Sequence, residues 1–166
     1  MLCVTTEYDN DAMWANYAEN HTGCVLGFKH IEELSTPLLV AQPVKYSEER
    51  PIVGSGLDFL LYGDSSELGR RTLEAVCFTK KIGWSYESEW RVLTWRPNEH
   101  DLKHGDYRFY PEELESITLG ARTSPATEAK VRQLMLAKYP SAILYRVALK
   151  NGETVRTKVS QTGGDV

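Results

Sequence analysis

Apolar positions along the chain switch between a spacing of two and a spacing of three to four, and that switching predicts the elements. LCVTT opens as a strand. Asp9 or Asp11 then caps a helix running to about Asn20, on which Trp14, Tyr17, Ala18 and His21 recur at i, i+3, i+4 and i+7 before Gly23 ends it. CVLGF (24–28) and PVKYS (43–47) read as strands. GLDFLLYG and DSSELGRRTLEAVCFTKK give one or two helices, the second capped near Ser65 with Glu67 in its first turn. YESEWRVLTW and DYRFY read as strands joined by the polar loop RPNEHDLKHG, and SITLGA as a further short strand. In SPATEAKVRQLMLAKYP, Ser124 is the cap, Pro125 the first helical residue and Pro140 the terminator, with Val131, Leu134 and Met135 at helical spacing. AILYRVAL and ETVRTKVS turn through Lys150-Asn151-Gly152 as a closing hairpin.

These elements mix without a steady strand-helix-strand rhythm, which predicts an α+β fold with a mixed, mainly antiparallel sheet and three or four helices. No linker, repeat or low-complexity block interrupts them. The expectation is a single domain over residues 1–159, followed by a disordered tail at 160–166.

If WSYESEWRVLTW (84–95) is extended throughout, Glu87, Glu89 and Arg91 share one face while Tyr86, Trp90 and Val92 take the other. Two carboxylates so placed lie roughly 6 to 7 Å apart along a strand, close enough for one to raise the other's pKa and for the pair to divide acid and electrostatic roles. The plainer reading is a charged strand face on which Arg91 neutralises Glu89. Trp84, Trp90 and Trp95 could line a pocket or a core. On the first helix, His21 could act as a base, or Trp14 could stack a planar ligand. The plainer reading there packs Met13, Trp14 and Tyr17 into the core and lets His21 cap the last carbonyls. His100 and His104, with Glu99, Asp101 and Asp106, sit in a loop pattern that reads as a solvated turn, so no metal site is expected.

Composition changes the picture in a few ways. The 166 residues are 42% hydrophobic and 25% charged, as ordinary globular chains are, but their net charge is -4 and the pI about 5.6. Binding nucleic acid directly through its phosphates needs a concentrated basic surface, so a basic protein partner suits the chain better. Cys3, Cys24 and Cys77 are too few and too scattered for a disulfide framework, which points to a reducing cytoplasm. No stretch approaches the roughly 20 apolar residues of a membrane span.

The ordered series CVTTEYDNDAMWANYAENHTGCVLGF, VKYS, the run from Lys80 through Trp84, Tyr86, Glu87, Glu89, Trp90 and Arg91, and ITLGAR resembles the domain of unknown function 2971 family of bacteria and their mobile elements. The resemblance places Trp14, Tyr17, His21, Gly23, Lys80, Trp84, Tyr86, Glu87, Glu89 and Arg91 on signature positions and implies a shared structural or functional site. Longer members have a segment with an Asn-Asp-Pro motif upstream of the CVTT-like strand, which makes this chain resemble a shortened member.

Two functions follow as expectations. The first is a non-catalytic protein-binding inhibitor, of the kind phages or mobile elements encode against CRISPR-type defences, docking on a host nucleoprotein complex through Trp14, Tyr17, His21, Lys80, Trp84, Tyr86 and Arg91, without a cofactor. The second, by fold-level analogy, is an ADP-ribosyltransferase-like enzyme. It would use NAD, with Glu89 gripping the nicotinamide ribose, Glu87 orienting the acceptor, and Thr5 or Thr6 standing in for that fold's Ser/Thr strand. Self-pairing through an exposed strand edge predicts a homodimer.

Overall fold

A computed structural model describes residues 1–63, 65–94, 105 and 108–160. The fold is α+β with mixed, mostly antiparallel sheets, and four α-helices form among the described residues. The chain clusters into two compact units that alternate along the sequence: Met1–Glu7 with Val40–Arg96, and Tyr8–Leu39 with Pro97–Val166.

In the first unit, β6 (Glu89–Val92) is the middle strand of a three-stranded sheet, flanked antiparallel by β1 (Leu2–Thr5) and β3 (Gln42–Pro43). Beside it β4 (Lys45–Ser47) runs parallel to β5 (Thr79–Lys81). PVKYS therefore divides at Val44, whose N–H donates to the Glu89 carbonyl while the Lys45 N–H donates to that of Phe78. Helix α2 (Gly56–Tyr62) starts in a capping box between Ser55 and Asp58. Helix α3 (Ser66–Cys77) starts on the Ser65 side chain, as its sequence predicts, with Glu67 in the first turn.

The second unit is a four-stranded sheet in the order β2 (Cys24–Phe28), β7 (Leu114–Leu119), β8 (Ile143–Lys150), β9 (Glu153–Lys158). β7 and β8 are parallel and joined through α4 (Pro125–Lys138), so one strand-helix-strand crossover sits among antiparallel pairs. Strand parity puts Leu144 and Val147 of β8 on opposite faces. Leu144 packs with Met135 of α4 and with Leu114, Ile117 and Leu119. Val147 packs with Trp14 and Ala18 of α1 (Asp11–Tyr17), so each sheet face carries one helix. The hairpin turn is as predicted: Lys150 pairs with Glu153, and Asn151 (φ 53°) and Gly152 (φ 83°) supply the left-handed pair that a two-residue loop needs.

Ser124 caps α4 by accepting from the Thr127 N–H, with Pro125 next, again as predicted. Replacing Ser124 by alanine is expected to cost about 1 kcal/mol of stability, measured by urea denaturation.

Several expectations are corrected. Asn10, not Asp9 or Asp11, caps the first helix, and that helix stops at Tyr17 rather than near Asn20, because Glu19, Asn20 and His21 all have positive φ. Of the described residues of YESEWRVLTW, 86–94, only Glu89–Val92 are strand. Ile82–Glu87 is a 3-10 turn, and Ser88 (φ 44°) breaks the extended run. Residues 108–110 are not strand. The loop residues 96–104, with Glu99, His100, Asp101 and His104, together with Trp95, Asp106 and the tail 161–166, lie outside the described residues. No helix among those described is long and apolar enough to cross a membrane.

Candidate functional site

The signature residues fall into two clusters, one in each unit. In the first unit the site grows from the 3-10 turn. Because residues 82–87 coil instead of extending, Glu87 and Glu89 do not alternate along a pleat; they meet at the Lys80 ammonium, which β5 projects toward both. Lys80 Nζ donates to Glu87 Oε2 and, at 3.2 Å, to Glu89 Oε2, and it lies 4.9 Å from the centroid of the Trp84 ring. Trp84 stands beside Tyr86, ring centroids 6.0 Å apart. Pleating does hold from Glu89 onward: Glu89 and Arg91 face one way, Trp90 and Val92 the other.

Arg91 grips Glu89 in a two-pronged pair, Nε to Oε1 and Nη2 to Oε2, both at 2.9 Å. Its remaining terminal nitrogen donates at 2.6 Å to the carbonyl of Cys77, the last residue of α3. There the cation satisfies an orphan carbonyl and meets the negative end of the helix dipole. The predicted charged face is thus not solvated: Glu87 is only 3% exposed, Glu89 8% and Arg91 9%.

Sequence reasoning missed two members of this site. Cys3 is the cross-strand partner of Arg91 and a neighbour of Glu89; only the β1–β6 register brings it there. Tyr46, in the VKYS segment, receives the Glu89 backbone N–H on its hydroxyl at 2.8 Å. Thr5 lies opposite Glu89 in the register, and its hydroxyl accepts from the Glu7 N–H.

Burial pushes the Glu89 carboxyl up, but hydrogen bonds from Arg91, Cys3 and Lys80 outweigh it and hold the group down at about 2. Burial likewise opposes the charge on Lys80, and its bonds to Glu87 and Glu89 more than compensate, leaving its pKa raised. The Cys3 thiol is pushed up, first by burial and then by the neighbouring Glu89. A carboxylate has about four lone-pair positions. Arg91 takes two of those on Glu89 and Lys80 a third.

In the second unit, Trp14 is 1% exposed and its indole N–H donates at 2.7 Å to the Tyr8 carbonyl. His21 stacks on it, centroids 5.5 Å apart and planes within 9°. The imidazole arrives through three successive left-handed residues rather than along a helix, and its Nδ1 is buried without a hydrogen-bond partner among the described residues. The His21 carbonyl accepts from the Arg122 N–H at 2.9 Å and crosses Gly120 so closely that a Cβ there would lie 2.1 Å from it. Gly23 folds back so that its N–H donates to the Ala18 carbonyl. His21 therefore occupies the indole face proposed for a planar ligand. Tyr17, expected in the core, is 63% exposed.

Among the described residues no group of three His, Cys, Asp or Glu side chains is placed to hold a metal ion. No curated protein and no solved structure matches the chain. Both signature runs, from Met13 to Gly23 and from Lys80 to Arg91, lie inside residues 13–92, the stretch of this chain that matches the model of a family described as protein of unknown function (DUF2971).

Proposed function

We propose that the protein is a non-catalytic binding protein in which the Lys80, Glu87, Glu89 and Arg91 network is a rigid support for a protein-docking surface. The observation that carries this reading is the pairing of buried Glu89 with both Arg91 and Lys80. A glutamate that grips a ribose hydroxyl or steadies a developing cation does so with an uncommitted charge, and the buried Glu89 carboxylate is already shared between a two-pronged guanidinium and the Lys80 ammonium. The same network presents aromatic surface. Trp84, steadied by Lys80, and Trp90, next to the buried pair, are both partly exposed. Tryptophan and tyrosine held rigidly at a surface are the side chains that dominate protein interfaces. The acidic chain suits a basic target, such as a nucleic-acid-handling defence complex whose surface an inhibitor of the anti-CRISPR kind would cover.

The immobilised protein, presented to lysates of bacteria that carry such defence complexes, is expected to retain a stable partner that the Trp84→Ala protein loses. Titration with NAD at millimolar concentration is expected to show no binding heat. Recovery of no partner from any such host counts against the reading. Saturable NAD binding, with label transfer abolished by Glu89→Gln in a protein of unchanged circular dichroism, would replace it with the transferase.

A further inference from the structure

Strand β9 carries a cation held by aromatic rings and by nothing else among the described residues. The Arg156 guanidinium lies 4.2 Å from the ring centroid of Tyr8 and 4.2 Å from that of Tyr145. The register explains the second contact: Arg156 pairs with Val147, and Tyr145, two residues along β8, shares that face of the sheet. The first is tethered, because the indole N–H of buried Trp14 holds the Tyr8 carbonyl at 2.7 Å. Ring contacts steady a guanidinium through its charge, but they supply no lone pairs to its N–H fork. Among the described residues nothing else does, for Arg156 makes no ion pair and donates no side-chain hydrogen bond there. The Asp11 carboxylate, which reaches the same strand, accepts instead from the Thr154 hydroxyl. Arg156 is partly buried, and charges drawn out of water are ordinarily paired, so the arrangement is short of one anion.

We propose that the Arg156 fork, with Lys158 beside it, is a binding site for a phosphate dianion, free or esterified on a small molecule. A guanidinium steadied by rings can present parallel N–H groups to two oxygens of one group, a geometry that carboxylates and phosphates share. The second charge decides between them. Lys158 lies two residues along β9, on the face of Arg156 and directly opposite Tyr145, and its ammonium too has no ion pair among the described residues. The two positions are roughly 6 to 7 Å apart along the strand, so together they match a group with close to two negative charges and a third oxygen to offer, as a phosphate ester has. A carboxylate would leave one cation unanswered. One fork and one lysine serve a single phosphate but not the run of phosphates along a nucleic acid. Preorganisation favours binding as well, since the rings have already removed freedom that an arginine otherwise loses when it takes a ligand. The site lies wholly within the second unit and does not rest on the docking reading.

The test is isothermal titration calorimetry of the full chain at low ionic strength with inorganic phosphate, phenyl phosphate and acetate. Both phosphates are expected to bind saturably with a dissociation constant of about 1 mM or tighter, and acetate at least about tenfold more weakly. Whichever phosphate binds more tightly tells the ester from the free ion. Arg156→Gln is expected to weaken phosphate binding at least about tenfold, and Arg156→Lys, which keeps the charge but loses the fork, to recover only part of that. Lys158 is exposed, so Lys158→Gln leaves the fold intact by circular dichroism and is expected to weaken phosphate binding about threefold or more. Lys150→Gln, at the far end of the same hairpin, is expected to change nothing. Failure of both phosphates to saturate the wild type overturns the proposal, as does phosphate binding that survives Lys158→Gln and Arg156→Gln unchanged. Acetate binding as tight as that of phosphate overturns the assignment to a dianion.

Discussion

Arg91→Met should lower the free energy of unfolding by about 3–5 kcal/mol, the cost of leaving a buried carboxylate without its main partner. Methionine keeps the length of the side chain, so the loss reports charge and hydrogen bonds more than volume. The effect exceeds that of a surface ion pair because Glu89 and Arg91 are both buried and joined by two parallel bonds. The double variant Glu89→Gln/Arg91→Met should recover part of the loss, since it removes the stranded charge as well as the pair. Chemical denaturation of the four proteins of the cycle measures this directly. A cost under ~1 kcal/mol for Arg91→Met would mean that the carboxylate is solvated and the support reading is wrong.

The same pair sets an acid limit. Glu89 titrates at about 2 in the folded protein against 4.5 ordinarily, so the unfolded chain takes up its proton first as pH falls. The stabilisation is fully present above pH ~4.5 and is lost progressively as pH falls toward 2, on the order of 3 kcal/mol in all. Arg91→Met should flatten that dependence, because the hydrogen bonds from Arg91 are the largest of the effects holding the pKa down.

Gly120→Ala is expected to be comparably damaging for a different reason. The added methyl would lie 2.1 Å from the His21 carbonyl oxygen and 2.6 Å from its carbon, both backbone atoms that no side-chain rotation can move aside. The clash must therefore displace the left-handed turn 19–21 or the end of β7. The expected cost is ~3 kcal/mol or more, with loss of the Trp14–His21 stack. Thermal denaturation gives the first quantity. The imidazole proton shifts in NMR, moved by the ring current of Trp14 in the wild type and relaxed in the variant, give the second. A Gly120→Ala variant of wild-type Tm would show that the loop has room to retreat.

Local signals carried much of the architecture. Ser65 and Ser124 cap helices where their side chains can reach the third N–H beyond them, and Asn151-Gly152 turns the hairpin because that pair tolerates positive φ. The two signature runs stood out through their resemblance to a family's ordered motifs, whereas their spacing alone read more plainly as a charged strand face and a core helix. What misled was periodicity where the backbone leaves a regular element. Ser88 and residues 19–21 adopt left-handed conformations although none of them is glycine, and no local rule marks them in advance. Later contacts accompany them, as when the His21 carbonyl binds the Arg122 N–H. The boundaries of the two compact units were hidden too, because the chain passes between them without a composition shift.

By itself, then, the amino-acid sequence determined the α+β class, most helix starts, the closing hairpin and the match of residues 13–92 to a family model, all of which depend on neighbours within a few residues or on residue types in order. Tertiary structure alone decided that the Glu87 and Glu89 carboxylates are buried and shared by Lys80, that Cys3 and Tyr46 join them, and that Gly120 makes room for His21. Those contacts join residues far apart in the chain, and whether a charged side chain faces water or a guanidinium is settled only when distant segments close over it.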